Sequence, residues 1–328
     1  MPPPAPAEDG EGRGRTERGP DRGRGMSSMV RGALLMTGAA FGFAIMLVLV
    51  RQISVELHPF QIAFLRFGFG VIFLMPWLLR RGAAGWRTAR FDLQLWRAAA
   101  TILTTLLWFS AIALLPLAQA VSLNFTIPLF ATMGAALFLG ETVRLRRWTA
   151  TAVGLFGTLV ILRPGFAELS WPMVLPIAAA GTMAAATLII KVLTRTDSVW
   201  TVVVYQNVLP LPFFLIIALF VWQTPSWIAL GLTVLVALLG TIAHVLLTRA
   251  FSLVDASAIV PFDYSRLPFA AFIAFLAFGE VPDVWTWAGA AIIAGAAIYI
   301  ARREAYLERT GRRAETAQVR PPSPYPTP

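Results

Sequence analysis

The chain has 328 residues, of which 57% are hydrophobic and 13% charged, about half the charged share of an average soluble domain. It has no cysteine, which excludes disulfides and thiolate metal sites, and only two histidines, which leaves little imidazole chemistry. A net charge of +10 would point to nucleic acid in a soluble protein, so its meaning depends on where the charges lie.

Residues 1–30 combine Pro, Gly, Arg and acidic side chains with almost nothing apolar, which predicts a disordered tail. Its basic run "GRGRTERGPDRGRG" reads as solvated rather than RNA-binding, so no nucleic-acid partner is expected, and Met26 is an alternative start to Met1. Ten apolar segments follow, near 32–50, 60–79, 97–115, 119–139, 148–162, 172–190, 199–222, 227–248, 256–278 and 284–301. Most have the length of about 17 to 25 residues that crosses a bilayer, and the first is too long for a cleaved signal peptide. Short turns such as "LPLAQ" and "QTPS" divide them, and a second disordered tail, 303–328, closes the chain. The fold class is therefore all-α and polytopic, with the lipid bilayer as its solvent.

Polar residues inside these segments are costly and therefore informative. Gly38-x-x-x-Gly42 in span one fits close helix packing, within the bundle or across a homodimer. Arg66 in span two either snorkels to the interface or faces a cavity, where it could hold a carboxylate or pair with Asp263 in one access state. Trp108, Asn124, Gln206 and Asn207 supply a candidate polar and aromatic lining. Prolines Pro128 and Pro268 interrupt the middles of spans four and nine, which frees backbone carbonyls at matching depths. His244 and Asp263 are the groups through which proton coupling would have to run. In "VPFDYSRLPF", Asp263 and Arg266 stand three residues apart on one helical face. Two readings are open: a self-satisfied ion pair that pins span nine, or a charged wall of an aqueous cavity. Trp77, Trp86, Trp171, Trp222 and Trp285 near span ends fit interfacial anchoring.

Placing the N-terminus in the cytoplasm puts 23 of the 27 basic residues inside, Arg51 and Arg163 outside, and Arg66 and Arg266 in the membrane. In that count Arg97 belongs to the cytoplasmic loop "RRGAAGWRTAR". The asymmetry, and the even number of spans, set both termini in the cytoplasm. The segment 129–148 matches 268–287 at an offset of 139, pairing Phe130 with Phe269, Gly140 with Gly279, Glu141 with Glu280 and Trp148 with Trp287. At the same offset Asn124 pairs with Asp263. Spans one to five thus repeat as spans six to ten. Five is odd, so the second half enters from the opposite face, an inverted repeat that is typical of secondary transporters. The repeats are placed at 31–163 and 171–302.

The "LFLGE" and "LAFGE" ends of spans four and nine, "QIAFLRF" in span two, and the five-plus-five repeat resemble the EamA-type members of the drug/metabolite transporter superfamily. Within it, "HPFQIAFLRF", "NFTIPLF" and "RAFSLVDASAIVPFDYSRL" are most similar to S-adenosylmethionine uptake transporters, with riboflavin importers less close. The resemblance implies an inner-membrane carrier of ten helices whose central cavity opens alternately to each side for a small molecule. It implies no cofactor and no nucleotide hydrolysis, and G-x-x-x-x-G-K-[ST] is absent. For an S-adenosylmethionine-like cargo, Arg66 or Arg266 would take the carboxylate, Asp263 a cationic group, and Tyr264, Phe262 and Trp108 the ring. Export of amino acids or drugs is the alternative direction. No H-E-x-x-H or G-x-S-x-G occurs, and His58 and His244 fall on opposite sides, so an intramembrane enzyme is not expected.

Overall fold

The computed structural model describes residues 27–115, 120, 123–162, 170–279 and 281–318. The expected tail before residue 27, the alternative start at Met26, Arg163, Glu280, residues 116–119 of the "LPLAQ" turn and the segment 319–328 lie outside the described residues.

Among the described residues the chain is helical, without strands, and its main helical segments number ten. These are α1 (Ser28–Ile53), α2 (Pro59–Arg81), α3 (Phe91–Leu114), α4 (Ile127–Phe138), α5 (Leu145–Leu162), α6 (Val174–Leu193), α7 (Val199–Phe220), α8 (Trp227–Leu253), α9 (Ala256–Phe278) and α10 (Val284–Gln318). Six segments, built on α1, α2, α6, α7, α8 and α9, are long and apolar enough to cross a bilayer on length and composition alone. At 1.5 Å per residue, the 26 residues of α1 reach about 39 Å, more than the hydrocarbon core requires.

Local chemistry sets the ends. Ser27 Oγ accepts from the Val30 amide at 3.2 Å, and His58 Nδ1 accepts from Phe60 N at 3.3 Å with Pro59 in the first turn of α2. Ser198 and Ser226 cap α7 and α8 in the same way. The repeat-mates Gly140 and Gly279 both sit at positive φ, 64° and 69°, just past α4 and α9. Only a residue without Cβ takes that backbone turn at low cost, so the glycine of each "GE" sequence is a helix stop. Two boundaries differ from the sequence expectation. The third span starts at Phe91, which moves Arg97 out of the loop and into the helix. The last helix runs on to Gln318 because 302–318 is rich in Arg, Glu and Ala, all strong helix formers.

The helices pack in pairs that repeat on advancing the count by five. α1 packs on α8 as α6 packs on α3, α1 on α9 as α6 on α4, and α2 on α8 as α7 on α3. The pairs α2–α7 and α5–α10 map onto themselves. The two repeats are thus interleaved around a pseudo-two-fold axis rather than set side by side. Small residues permit the close crossings. On α1, Gly42 would carry a Cβ 3.2 Å from that of Ala243, and Gly38 faces Leu246, so this motif serves the α1–α8 crossing within one chain. The α5–α10 crossing is tighter: a Cβ on Gly289 would stand 2.5 Å from the carbonyl oxygen of Gly157.

A backbone oxygen cannot swing aside, so Gly289→Ala is expected to destabilise the protein by about 1–3 kcal/mol. Gly295, also on α10, has nothing within 4 Å of such a Cβ, and Gly295→Ala should be neutral. The folded fraction remaining after graded heating of both variants in detergent checks the difference.

Candidate functional site

A cavity of about 310 Å³ lies between the two repeats, at the lower end of the sizes that take small organic ligands. Val50 and Pro59 line it at the α1–α2 loop end, and Met36, Ile190, Leu247 and Val260 line it toward the opposite end. Its polar wall collects residues from both halves: Arg66, Arg97, Trp108 and Asn124 from the first, Gln206, His244, Asp263 and Arg266 from the second.

Two broken helices build the middle of this wall. In α9, a helical turn at Ala256–Ile259 gives way to a 3-10 segment at Val260–Ser265 before the helix resumes at Arg266. Ahead of α4, a turn at Phe125 and Thr126 separates Asn124 from the helix that starts at Ile127. The breaks precede Pro128 and Pro268 rather than falling on them. Proline disfavours helical backbone in the residue before it and fits the first helical turn, so each marks a restart. The freed carbonyls are met alike in both halves: Thr126 Oγ1 donates to Leu123 O at 2.7 Å, and Ser265 Oγ donates to Phe262 O at 2.6 Å. Asn124 and Asp263, one per break, face the cavity.

The charges are arranged unequally. Arg266 Nη2 donates to Asp263 Oδ1 at 2.6 Å, and its guanidinium lies 4.8 Å from the Phe43 ring centroid. Arg66 stacks on Phe67 at 4.2 Å and has no carboxylate or hydrogen-bond partner among the described residues. Arg97 is 2% exposed. Its Nη1 donates to Val202 O at 2.9 Å, and its Nε has no partner in the structure. His244 Nδ1 lies 2.7 Å from Gly240 O, and its ring meets Phe43 edge-on at 5.0 Å.

Four residues singled out in the sequence stand outside the cavity. Phe262 is buried in the apolar core, Pro268 sits two residues past Arg266 in α9, and Asn207 donates to Val203 O at 2.9 Å and presses against Gly70. Tyr264 is fully buried and stacks on Phe125, its own repeat-mate, with centroids 6.4 Å apart and planes 19° from parallel. The neighbours Arg266 and Asp263 face the cavity, while the 3-10 turn sends Tyr264 the other way, onto Gly154. Arg97 was the residue that a loop assignment hid. Its signal was a polar stripe at helical spacing, Gln94, Arg97, Thr101, Thr104 and Trp108, which continues from the α3 end down one face.

Polar latches tie the repeats together at each end. At the α1–α2 loop end, Ser226 Oγ donates to Glu56 at 2.8 Å, and Gln61 exchanges two bonds with the Gln223 backbone. At the other end Asp197 receives Thr88, the Ala89 amide and Gln94. There Glu141 caps α9 by accepting from the amides of Ala256 and Ser257 at 2.8 and 3.0 Å, which gives the glutamate of "LFLGE" its role. Arg147 adds Ser257 and Asp255, and within the second repeat Lys191 Nζ donates to the carbonyls of Phe251 and Val254.

Comparison with known proteins agrees with this architecture. Residues 30–163 and 170–302 each match the EamA-like transporter family. A riboflavin transporter of Rhizobium johnstonii is 35% identical over 86% of this chain and 95% of its own length. An S-adenosylmethionine uptake transporter of Rickettsia felis is 30% identical over 77% of this chain and 86% of its own. A crystal structure superposes with a TM-score of 0.71 over 83% of this chain and 98% of the other, at 19% identity, and shows the shared fold.

Tyr264 Oη is buried with no partner among the described residues, so Tyr264→Phe should keep the stack and leave stability and transport unchanged or slightly improved. Tyr264→Ala opens a cavity on the pseudo-two-fold axis and should cost about 3–5 kcal/mol. Thermal stability of both variants, with flux for the first, separates packing from cargo contact.

Proposed function

The chain belongs to the EamA-like transporter family, and from that premise we propose that it carries a small organic metabolite by alternating access through the cavity between its repeats. The observation that carries this reading is a cavity lined from both halves that holds an ion pair and, in Arg66, a cation with no carboxylate partner among the described residues. Charge in a bilayer costs at least about 2.5–3.5 kcal/mol on insertion scales, and water-filled transport paths are where it is tolerated. Broken helices facing each other at matching depth support the same reading, as they do in other carriers built from inverted repeats.

In this reading the protein resides in the bacterial inner membrane with both termini in the cytoplasm. The concentration of basic residues at the N-terminal end supports that orientation. The cavity then reaches toward the outside, and the Glu141, Arg147 and Asp197 latches close the cytoplasmic end. Arg66, Trp108, Asn124, Asp263 and Arg266 hold the cargo. Pro128 and Pro268 fix the helix restarts that place two of them. Any proton coupling runs through Asp263 or His244.

The cargo of the riboflavin-transporting relative is a planar ring system, which Trp108, Phe109 and Phe43 suit by stacking. A second reading, an S-adenosylmethionine or amino-acid-like solute, draws on the Asp263–Arg266 pair, whose opposite charges match a zwitterionic head group.

Uptake into proteoliposomes, with labelled riboflavin and S-adenosylmethionine in parallel, tests both. Saturable flux is expected, reduced tenfold or more (about 1.4 kcal/mol) in Asp263→Asn and Arg266→Gln. Flux of either solute that survives both changes would reduce the pair to structure.

A further inference from the structure

Three guanidinium groups line the cavity, those of Arg66, Arg97 and Arg266, against the single carboxylate of Asp263. All three line the same cavity as His244, so they share one chamber. Asp263 is already engaged by Arg266 at 2.6 Å. The other two are held by contacts that carry no charge: a phenyl face for Arg66 and a backbone carbonyl for Arg97. Residues 116–119 and 121–122, between α3 and α4, contain no acidic side chain that could balance them. With a neutral imidazole, the described wall of the chamber therefore carries two uncompensated positive charges, in a medium where each is expensive.

A cationic cargo would add to that excess, and a neutral one would leave it standing. We propose that the cargo is an organic anion, whose carboxylate or phosphate is received by Arg66 and Arg97 while its planar body lies along Trp108 and Phe109. Guanidinium forks suit both anions because two parallel N–H groups meet two oxygens. Arg97 has the geometry for it: it is buried, lines the cavity, and has an Nε with no partner. Thr101, Thr104 and Thr105 line the same helix, but each hydroxyl already donates to a backbone carbonyl one turn back, which leaves the guanidinium groups as the donors for an anion. This inference rests on the proposed function only in using the same cavity. It deepens that reading by naming the charge of the cargo.

Riboflavin and riboflavin 5′-phosphate form a matched pair that differs in the anionic group alone. Their binding to the full-length protein in nanodiscs can be followed by quenching of flavin fluorescence, with S-adenosylmethionine as the cationic competitor. The phosphate is expected to bind at least about tenfold tighter than riboflavin. Arg66→Gln and Arg97→Gln should each reduce that advantage to about twofold or less. Arg97→Lys, which keeps the charge if the buried site rejects glutamine, should retain most of it. A benzoate-bearing competitor would show whether a carboxylate serves as well as a phosphate.

Riboflavin binding as tightly as its phosphate would overturn the inference. So would displacement by S-adenosylmethionine ahead of either flavin, an advantage that survives both glutamine variants, or no phosphate binding up to about 1 mM. Anion-selective binding without flux of any solute in proteoliposomes would instead sink the transport reading and leave the anion site standing. Flux without anion preference would do the reverse.

Discussion

Lipid offers no hydrogen bonds, so a helix can be interrupted inside a membrane only where something else satisfies its backbone. The site depends on how that demand is met twice, at the same depth, in two halves of one chain. Thr126 and Ser265 return a hydroxyl to the carbonyls of Leu123 and Phe262, and Pro128 and Pro268 restart the helices in their first turns. With the breaks held open in this way, Asn124 and Asp263 can project into the space between the repeats. Without them α4 and α9 would be continuous rods and would present periodic faces rather than an inward polar turn.

The electrostatics follow from the same geometry. A 3-10 segment winds three residues per turn, tighter than an α-helix. Along Val260–Ser265 this turns Asp263 toward Arg266 and the chamber, and carries Tyr264 to the far side. The ion pair thereby partly neutralises itself, and Phe43 covers the outer face of the guanidinium. Arg66 and Arg97 receive no such treatment. The chamber is polarised by design of its walls: apolar and aromatic along much of its length, cationic near His244.

Much of this was legible in the sequence, and the remainder fails for identifiable reasons. Length and hydrophobicity located the spans, because crossing a bilayer imposes a length. The offset of 139 between Gly140–Glu141 and Gly279–Glu280 revealed the repeat, because both halves need a left-handed glycine to stop a helix. Arg97 was misplaced because charge near a span end reads as loop. The stripe from Gln94 to Trp108 carries the helical spacing, and the packed α3–α6 crossing shows that Phe91 already begins the helix. Tyr264 reads as cargo lining because it is an aromatic side chain beside Asp263 in sequence, yet adjacent helical residues point to different faces, and its packing partner Phe125 lies 139 residues away.

The stack of Phe125 on Tyr264 lies between equivalent residues, as do the α2–α7 and α5–α10 crossings. When two halves trade conformations, a contact between unlike positions must be broken and its mirror contact formed. One between equivalent positions is carried onto itself. α1–α8 and α6–α3 would therefore exchange roles as the chamber turned over, while the Phe125–Tyr264 rings kept their partner throughout. On the proposed alternating access, the stack is placed to be the fulcrum between the two repeats.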